Sequence, residues 1–283
     1  MSDPAVDRFA TGRAPAHWQA VDCISDLHLH NADQATFAGF RRYLQTAPER
    51  RADALFILGD LFEVWVGDDT LLSQADDAQQ PERGFLRGCI ALLNAHSRHT
   101  PTFFMAGNRD FMLGPAALAA AGMTSLDDPT VLDFLGQRWL LSHGDALCLE
   151  DTGYQRFRRE VRSPGWQQGF LARLLAEREA LAADMRARSE AHKQALGSDP
   201  ALWADVDSGA ARQALNQAGA LNLIHGHTHR PATHALGSNE RGEALQRIVL
   251  SDWDLRAHPG RAEVLRLDAQ GFKRLPLNTI SPD

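Results

Sequence analysis

Seven side chains carry oxygen or nitrogen donors where a short apolar run has just ended: Asp26, His28, Asp60, Asn108, His143, His225 and His227. Asp26 and His28 alternate across one tight turn, so both can face one point. His225 and His227 do the same around Gly226, which lets backbones approach closely. Seven donors exceed the needs of one tetrahedral ion. They suit two ions sharing a bridging carboxylate, and Asp60 is the natural bridge. One ion would then take Asp26, His28, Asp60 and His227, and the other Asp60, Asn108, His143 and His225. Carboxylate, amide and imidazole without thiolate favour Mn, Fe or Zn over Ca, and manganese is the expectation here. Two ions about 3.5–4 Å apart can polarise a phosphoryl group, generate a nucleophile and stabilise a leaving oxygen. Cys23, Cys89 and Cys148 are far apart and form no C-x-x-C pair, so they are expected to be buried, reduced and inert.

The elements that must position these donors are short. Val21–Ser25, Ala54–Leu58, Thr102–Ala106, Trp139–Ser142 and Leu221–Ile224 read as buried strands. In open α/β sheets, ligands bind beyond the carboxyl ends of such strands. Helical spacing over Gln34–Thr46 and Phe85–Leu93 places strand and helix in alternation, which predicts a largely parallel sheet with covered faces. Residues 130–142 read as a hairpin turning at Gly136, and short strands recur from 243 to 280, including Arg247–Leu250 and Ala262–Leu267. The fold class is α/β with two sheets. Residues 152–218 lack a strand pattern. Phe170, Leu171, Leu174, Leu175, Leu181 and Met185 follow helical spacing, with Ser163-Pro164-Gly165 as an opening and Gly197–Pro200 as a break. The expected organisation is a flexible extension over 1–18, a core over 19–151 and 219–283, and a helical lid insertion over 152–218.

The 283 residues carry a formal net charge of −7 and 44% hydrophobic residues, ordinary globular usage. An acidic whole argues against broad nucleic-acid coating. No apolar run spans a bilayer, and the first residues lack the apolar centre of a secretory signal. From Arg156 to Lys193 the net charge is +4, leaving −11 on the remainder. A cationic amphipathic insertion suits an anionic or membrane-surface partner, or a lid whose arginine stems cover apolar surface. Trp166 and Phe170 fit either an interfacial anchor or lid packing. His229, Asp110 and Asp145 are read as supports behind the ligands.

The ordered set D-x-H, G-D, G-N, H-G-D and G-H-x-H, over residues 21–150 and 220–270, resembles the calcineurin-like metallophosphoesterases. That family implies a two-sheet α/β/β/α sandwich with a dinuclear site. Within it, Ser25-Asp26-Leu27-His28-Leu29, Gly59-Asp60-Leu61-Phe62-Glu63, Trp65-Val66-Gly67-Asp68-Asp69, Gly107-Asn108-Arg109-Asp110-Phe111 and His225-Gly226-His227-Thr228-His229-Arg230-Pro231 are similar to the UDP-2,3-diacylglucosamine diphosphatases of lipid A biosynthesis. The segments His143–Tyr154 and Met185–Ser189 match that branch too. The resemblance implies hydrolysis of UDP-2,3-diacylglucosamine to UMP and 2,3-diacylglucosamine 1-phosphate. It also implies manganese, a peripheral place on the cytoplasmic face of the inner membrane, and a lid that grips the acyl chains.

By the same resemblance, Asp60, Asn108, Arg109 and His225 are catalytic, and Asn108, Arg109, Asp151, Ser189 and His225 touch substrate. After Ser189 this chain departs from the branch: Lys193 and Leu196 stand where it has Asn and Lys, and Lys193 would replace that lysine from one turn earlier. Arg109 stands where many metallophosphoesterases place a proton-donating histidine. A guanidinium holds phosphate oxygens in a fork but does not readily release a proton, which suits a pyrophosphate, whose leaving group needs no strong acid. The alternative for Arg109 is an ion pair with Asp110. Two other functions compete. One is a metallophosphoesterase acting on a soluble dinucleotide polyphosphate or phosphodiester, against which the greasy insertion argues. The other is a non-catalytic scaffold, against which the full ligand set argues.

Overall fold

The computed structural model describes residues 9–72, 80–196 and 204–280. Among these, twelve strands form two six-stranded sheets. In chain order the elements begin with β1 (Ala10–Arg13), β2 (Ala20–Ile24), α1 (Gln34–Leu44), β3 (Ala54–Leu58), α2 (Pro81–Ser97), β4 (Thr102–Met105), α3 (Pro115–Ala121), β5 (Met123–Leu126), β6 (Thr130–Phe134) and β7 (Gln137–Ser142). Helices α4 (Thr152–Val161), α5 (Pro164–Leu171), α6 (Leu175–Leu196) and α7 (Ser208–Ala218) follow. Then come β8 (Asn222–His225), β9 (Ala232–Ser238), β10 (Ala244–Val249), β11 (Glu263–Asp268) and β12 (Gly271–Pro276).

The first sheet has the order β12-β11-β2-β3-β4-β5, with β2 to β5 mutually parallel. The second has the order β1-β6-β7-β8-β10-β9, with β7, β8 and β10 parallel. Side chains of a strand alternate between faces, and β3 shows what that does here. Ala54, Phe56 and Leu58 enter the core between the sheets, against Leu132, Trp139, Leu141 and Ile224. Leu55 and Ile57 face the other way, into a core with Phe40 of α1 and Leu86, Cys89 and Leu93 of α2. On the outer face of the second sheet, Leu140 and Leu223 pack against Ala211, Leu215 and Ala218 of α7. The layers are therefore α/β/β/α, as the family resemblance implies. The hairpin turns at Leu135 and Gly136, both at positive φ, as a two-residue hairpin loop requires.

Three expectations are corrected. Residues 10–13 do not lie loose: they pair in parallel with β6, and Trp18 is buried between the sheets. The helical insertion does not run to residue 218. Helix α7 covers the second sheet and belongs to the core, capped by Asp207, which accepts the Ala210 N–H at 2.6 Å. The insertion is α4 to α6, and the apolar pattern read as one helix is split. Ser163 caps α5, whereas the Glu177 carboxylate reaches back to the Leu174 N–H at 3.2 Å and opens α6. Trp166 and Phe170 stack on one another at 4.8 Å between ring centroids and pack against the first core, so they dock the insertion instead of anchoring in lipid. The Gly197–Pro200 break lies outside the described residues. Within the described residues no helix is long and apolar enough to cross a membrane.

Candidate metal centre

The donor residues sit just beyond strand ends of both sheets. β2 leads to Asp26 and His28, β3 to Asp60, β4 to Asn108, β7 to His143, and β8 to the segment 225–229. Among the described residues, five of the six non-glycine residues at positive φ are Asp26, His28, Asp60, His227 and His229. Left-handed backbone is strained for such residues and persists where surroundings enforce it. Gly226 has no room for a side chain, because a Cβ there would run into Asp26 Oδ2 and Ser25 Oγ.

Two groups of donors face one another. In one, His229 Nε2 lies 3.2 Å from His28 Nε2 and 3.4 Å from Asp26 Oδ1, while His28 Nε2 lies 3.8 Å from Asp60 Oδ2. In the other, Asn108 Oδ1 lies 3.1 Å from His143 Nε2 and 2.8 Å from His227 Nδ1, and His143 Nε2 lies 3.7 Å from Asp60 Oδ1. Asp60 thus stands between the two groups, one carboxylate oxygen toward each. His143 Nδ1 is 2.9 Å from the Leu58 carbonyl, to which it must donate, so the neutral ring turns the Nε2 lone pair inward. His28 Nδ1 lies 3.0 Å from Glu63 Oε2, outside hydrogen-bond alignment. Facing imidazole nitrogens with carboxylate and amide oxygens are a donor set that fits two divalent cations.

His225 is not part of this arrangement. Its Nδ1 faces the Gly226 carbonyl at 2.9 Å, and its Nε2 faces Arg247 at 3.4 Å, away from the other donors. Burial, reinforced by the Arg247 charge, lowers its pKa to about 4. The two-residue alternation expected for His225 and His227 fails because β8 ends at His225 and His227 turns to φ 67°. The geometry pairs His229 with Asp26 and His28, and His227 with Asn108 and His143. G-H-x-H counted from Gly226 already points to His227 and His229, so the signal was present in the sequence.

The electrostatics follow from crowding carboxylates with bases. Burial alone would raise the Asp26 pKa, but His229, His143 and His28 hold it well below the ordinary range. Glu63, opposed by burial, is lowered to about 2 by His28, Arg109 and Arg186. Asp110 is raised to about 7 by burial and the neighbouring Asp60 charge. Its carboxylate accepts the Gly107 and Leu61 N–H groups at 2.8 and 2.7 Å and ties two donor loops together. Arg109 makes no pair with Asp110. Its N–H donates to Asp60 Oδ1 at 2.8 Å, and its guanidinium lies 3.6 Å from Glu63.

The insertion closes one side of the cluster, with side chains that sequence spacing did not single out. The Tyr154 ring stacks near His227 at 5.9 Å, and its hydroxyl donates to Asp145 at 2.5 Å. Arg162 donates to the Gly107 carbonyl at 2.9 Å, and Arg186 lies 3.0 Å from Glu63. Asp151 caps α4 through the Tyr154 N–H at 2.8 Å. Ser189 and Lys193 fall on a stretch of α6 whose side chains lie outside the described residues.

A two-sheet α/β sandwich with such a cluster at its strand ends is a phosphoesterase architecture, and the model of the calcineurin-like phosphoesterase family matches residues 20–231. The chain belongs to that family. Among curated proteins, a UDP-2,3-diacylglucosamine hydrolase of Chromobacterium violaceum is 45% identical over 258 residues, which cover 91% of this chain and 99% of that one. A UDP-2,3-diacylglucosamine hydrolase of Xanthomonas oryzae is 44% identical over 252 residues, covering 88% of this chain and 95% of that one.

Proposed function

We propose that this chain hydrolyses the pyrophosphate of UDP-2,3-diacylglucosamine, releasing UMP and 2,3-diacylglucosamine 1-phosphate. The observation that carries this reading is the 45% identity to a UDP-2,3-diacylglucosamine hydrolase across nearly the whole of both chains. Asp26, His28, Asp60 and His229 would hold one divalent ion, and Asp60, Asn108, His143 and His227 the other, with manganese as the ion used. Two such ions supply a nucleophilic oxygen at neutral pH and neutralise charge that develops on the phosphoryl group. Arg109, held beside Glu63, presents its fork to the phosphate oxygens without donating a proton. Attack at the α-phosphorus expels the acyl-sugar phosphate, a leaving group that needs no strong acid. Tyr154 and Arg162 keep the His227 and Gly107 loops in place and exclude water on the insertion side. Asp151, Ser189 and Lys193 are assigned to the sugar and acyl half by resemblance alone.

The competing soluble dinucleotide or phosphodiester substrate is disfavoured by the insertion. Phe157, Leu171 and Leu174 are 39%, 47% and 73% exposed there, beside a surplus of arginine. A polar substrate needs no such surface, whereas each buried acyl CH₂ contributes about 0.8 kcal/mol. The same surface supports peripheral binding at the cytoplasmic face of the inner membrane.

The test is turnover of UDP-2,3-diacylglucosamine in mixed micelles, with Mn²⁺ or chelator, beside Asp60→Ala. Mn-dependent UMP is expected. The variant should lose on the order of a thousandfold in kcat, since such sites supply several kcal/mol and each 1.36 kcal/mol is tenfold. Release of UDP, or no cleavage alongside intact turnover of simple phosphodiesters, would remove the substrate assignment and leave the metal site.

A further inference from the structure

Resting on that reading, we propose that the pocket beside His28 and His229 binds the ribosyl-uracil half of the substrate, with Arg256 and His30 as its specificity-determining contacts. The pocket has a volume of about 500 Å³ and is walled by segments 27–33 and 252–261 together with His229. Small-molecule sites span roughly 300–1,000 Å³. It abuts His28 and His229, so a substituent on a phosphate held at the cluster reaches it directly.

The two substituents of the reacting phosphorus differ in polarity, and so do the two sides of the cluster. The insertion lies over the His227, Gly107 and Glu63 side, through Tyr154, Arg162 and Arg186. Among the described residues none of α4 to α6 lines the opposite pocket. Its larger apolar members Leu27 and Trp253 are buried and only the methyl of Ala257 is part-exposed, which leaves a rim dominated by His30, Asp33, Asp254, Arg256 and Arg261. That rim suits a nucleoside and offers little to an acyl chain.

Most of these polar groups are already engaged. Asp33 accepts from the Thr36 N–H and hydroxyl at 3.1 and 2.9 Å, capping α1. Arg261 is held by Asp252 at 2.8 and 3.2 Å and by Asp254 at 3.3 Å. The His30 ring and the Arg256 guanidinium make no hydrogen bond or ion pair among the described residues, so both remain available to a ligand. A guanidinium offers donors only, so set against the C4 edge of the pyrimidine it matches the O4 carbonyl of uracil and opposes the amino group that cytosine carries there. An imidazole can donate to or accept from ribose hydroxyls.

The experiment is calorimetric titration of the Mn-loaded full chain with UMP and with CMP, for the native sequence, Arg256→Ala and His30→Ala. The native chain should bind UMP at least about tenfold tighter than CMP, one missing donor–acceptor match being of that order. Arg256→Ala should weaken UMP about tenfold, bring the two nucleotides level and raise KM for UDP-2,3-diacylglucosamine. His30→Ala should weaken both nucleotides alike. An unchanged UMP affinity and UMP-to-CMP ratio in Arg256→Ala overturns the pocket assignment while leaving the proposed reaction standing. A native chain that neither binds UMP nor releases it from the substrate overturns both.

Discussion

At the residue scale, the donor chemistry was legible and its final turn was not. Asp26, His28, Asp60, Asn108 and His143 are where their spacing put them. The error fell on three histidines in five residues, because period-two counting assumes that the strand continues. β8 ends at His225, and positive φ at His227 and His229 swings the next two rings inward. His229→Ala should therefore leave about one ion per chain, whereas His225→Asn should keep two, as read by elemental analysis after dialysis. Two ions in the His229 variant would refute the pairing. Titration gives a second check. In the metal-free chain burial lowers the His143 pKa, but Asp60, Asp145 and Asp26 outweigh it and raise it to about 9. The stabilisation from that proton is complete below the unfolded value of about 6.5 and is lost as pH rises through about 9. His227, lowered to about 4 by burial and the His143 charge, acts the other way: folding is penalised as pH falls from about 6.5 towards 4. Chelated protein should melt highest near pH 6.5, and loading with Mn²⁺ should abolish the alkaline decline, because cations replace the His143 proton. A melting temperature of chelated protein that climbs steadily from pH 6.5 to 9 would contradict this.

At the scale of elements, the strands feeding the site and the amphipathic helices α1 and α2 were readable from periodicity. Helix α3 was missed because its sequence, PAALAAA, has no polar face to set a period. Asp68, 46 or more residues away, accepts the Gly114, Ala116 and Ala117 N–H groups at 2.8–3.0 Å and fixes its start. The extent of the insertion was misread because α7 is as helical as α4 to α6, and only contact with the second sheet separates them. The insertion is pinned at its centre by Arg178. That buried guanidinium donates to the Val66 carbonyl at 2.6 Å, to the Arg173 carbonyl at 3.2 Å and to Asp69. Arg83 of α2 holds Glu179 at 2.7 and 2.8 Å. Asp69 is 48% exposed, so its pairing adds little and the carbonyl bonds decide. Arg178→Ala should cost about 1–3 kcal/mol. The loss should appear as faster hydrogen exchange over α5 and α6 and a raised KM, with two ions still bound. Unchanged exchange there would dissociate Arg178 from insertion docking.

At the scale of the whole molecule, the two sheets and their outer helices followed from the sequence, but the pairing of β1 with β6 did not. The four residues of β1 are all exposed, and a polar edge strand carries little apolar signal. Charge sets the insertion apart from the acidic body, Leu171 and Leu174 give it an exposed apolar edge, and vesicle flotation tests that asymmetry. Anionic vesicles should carry the protein upward, and Leu171→Asp with Leu174→Asp should release it; equal flotation of both forms would argue for another attachment. The placement of the donors across the fold has a mechanical consequence. Each proposed ion draws ligands from both sheets, Asp26, His28, Asp60 and Asn108 from one and His143, His227 and His229 from the other. The ions then act as a latch across the open edge of the sandwich. Prising the sheets apart under load would have to break both coordination shells together, so rupture force would rise on loading with cation and fall back with chelator.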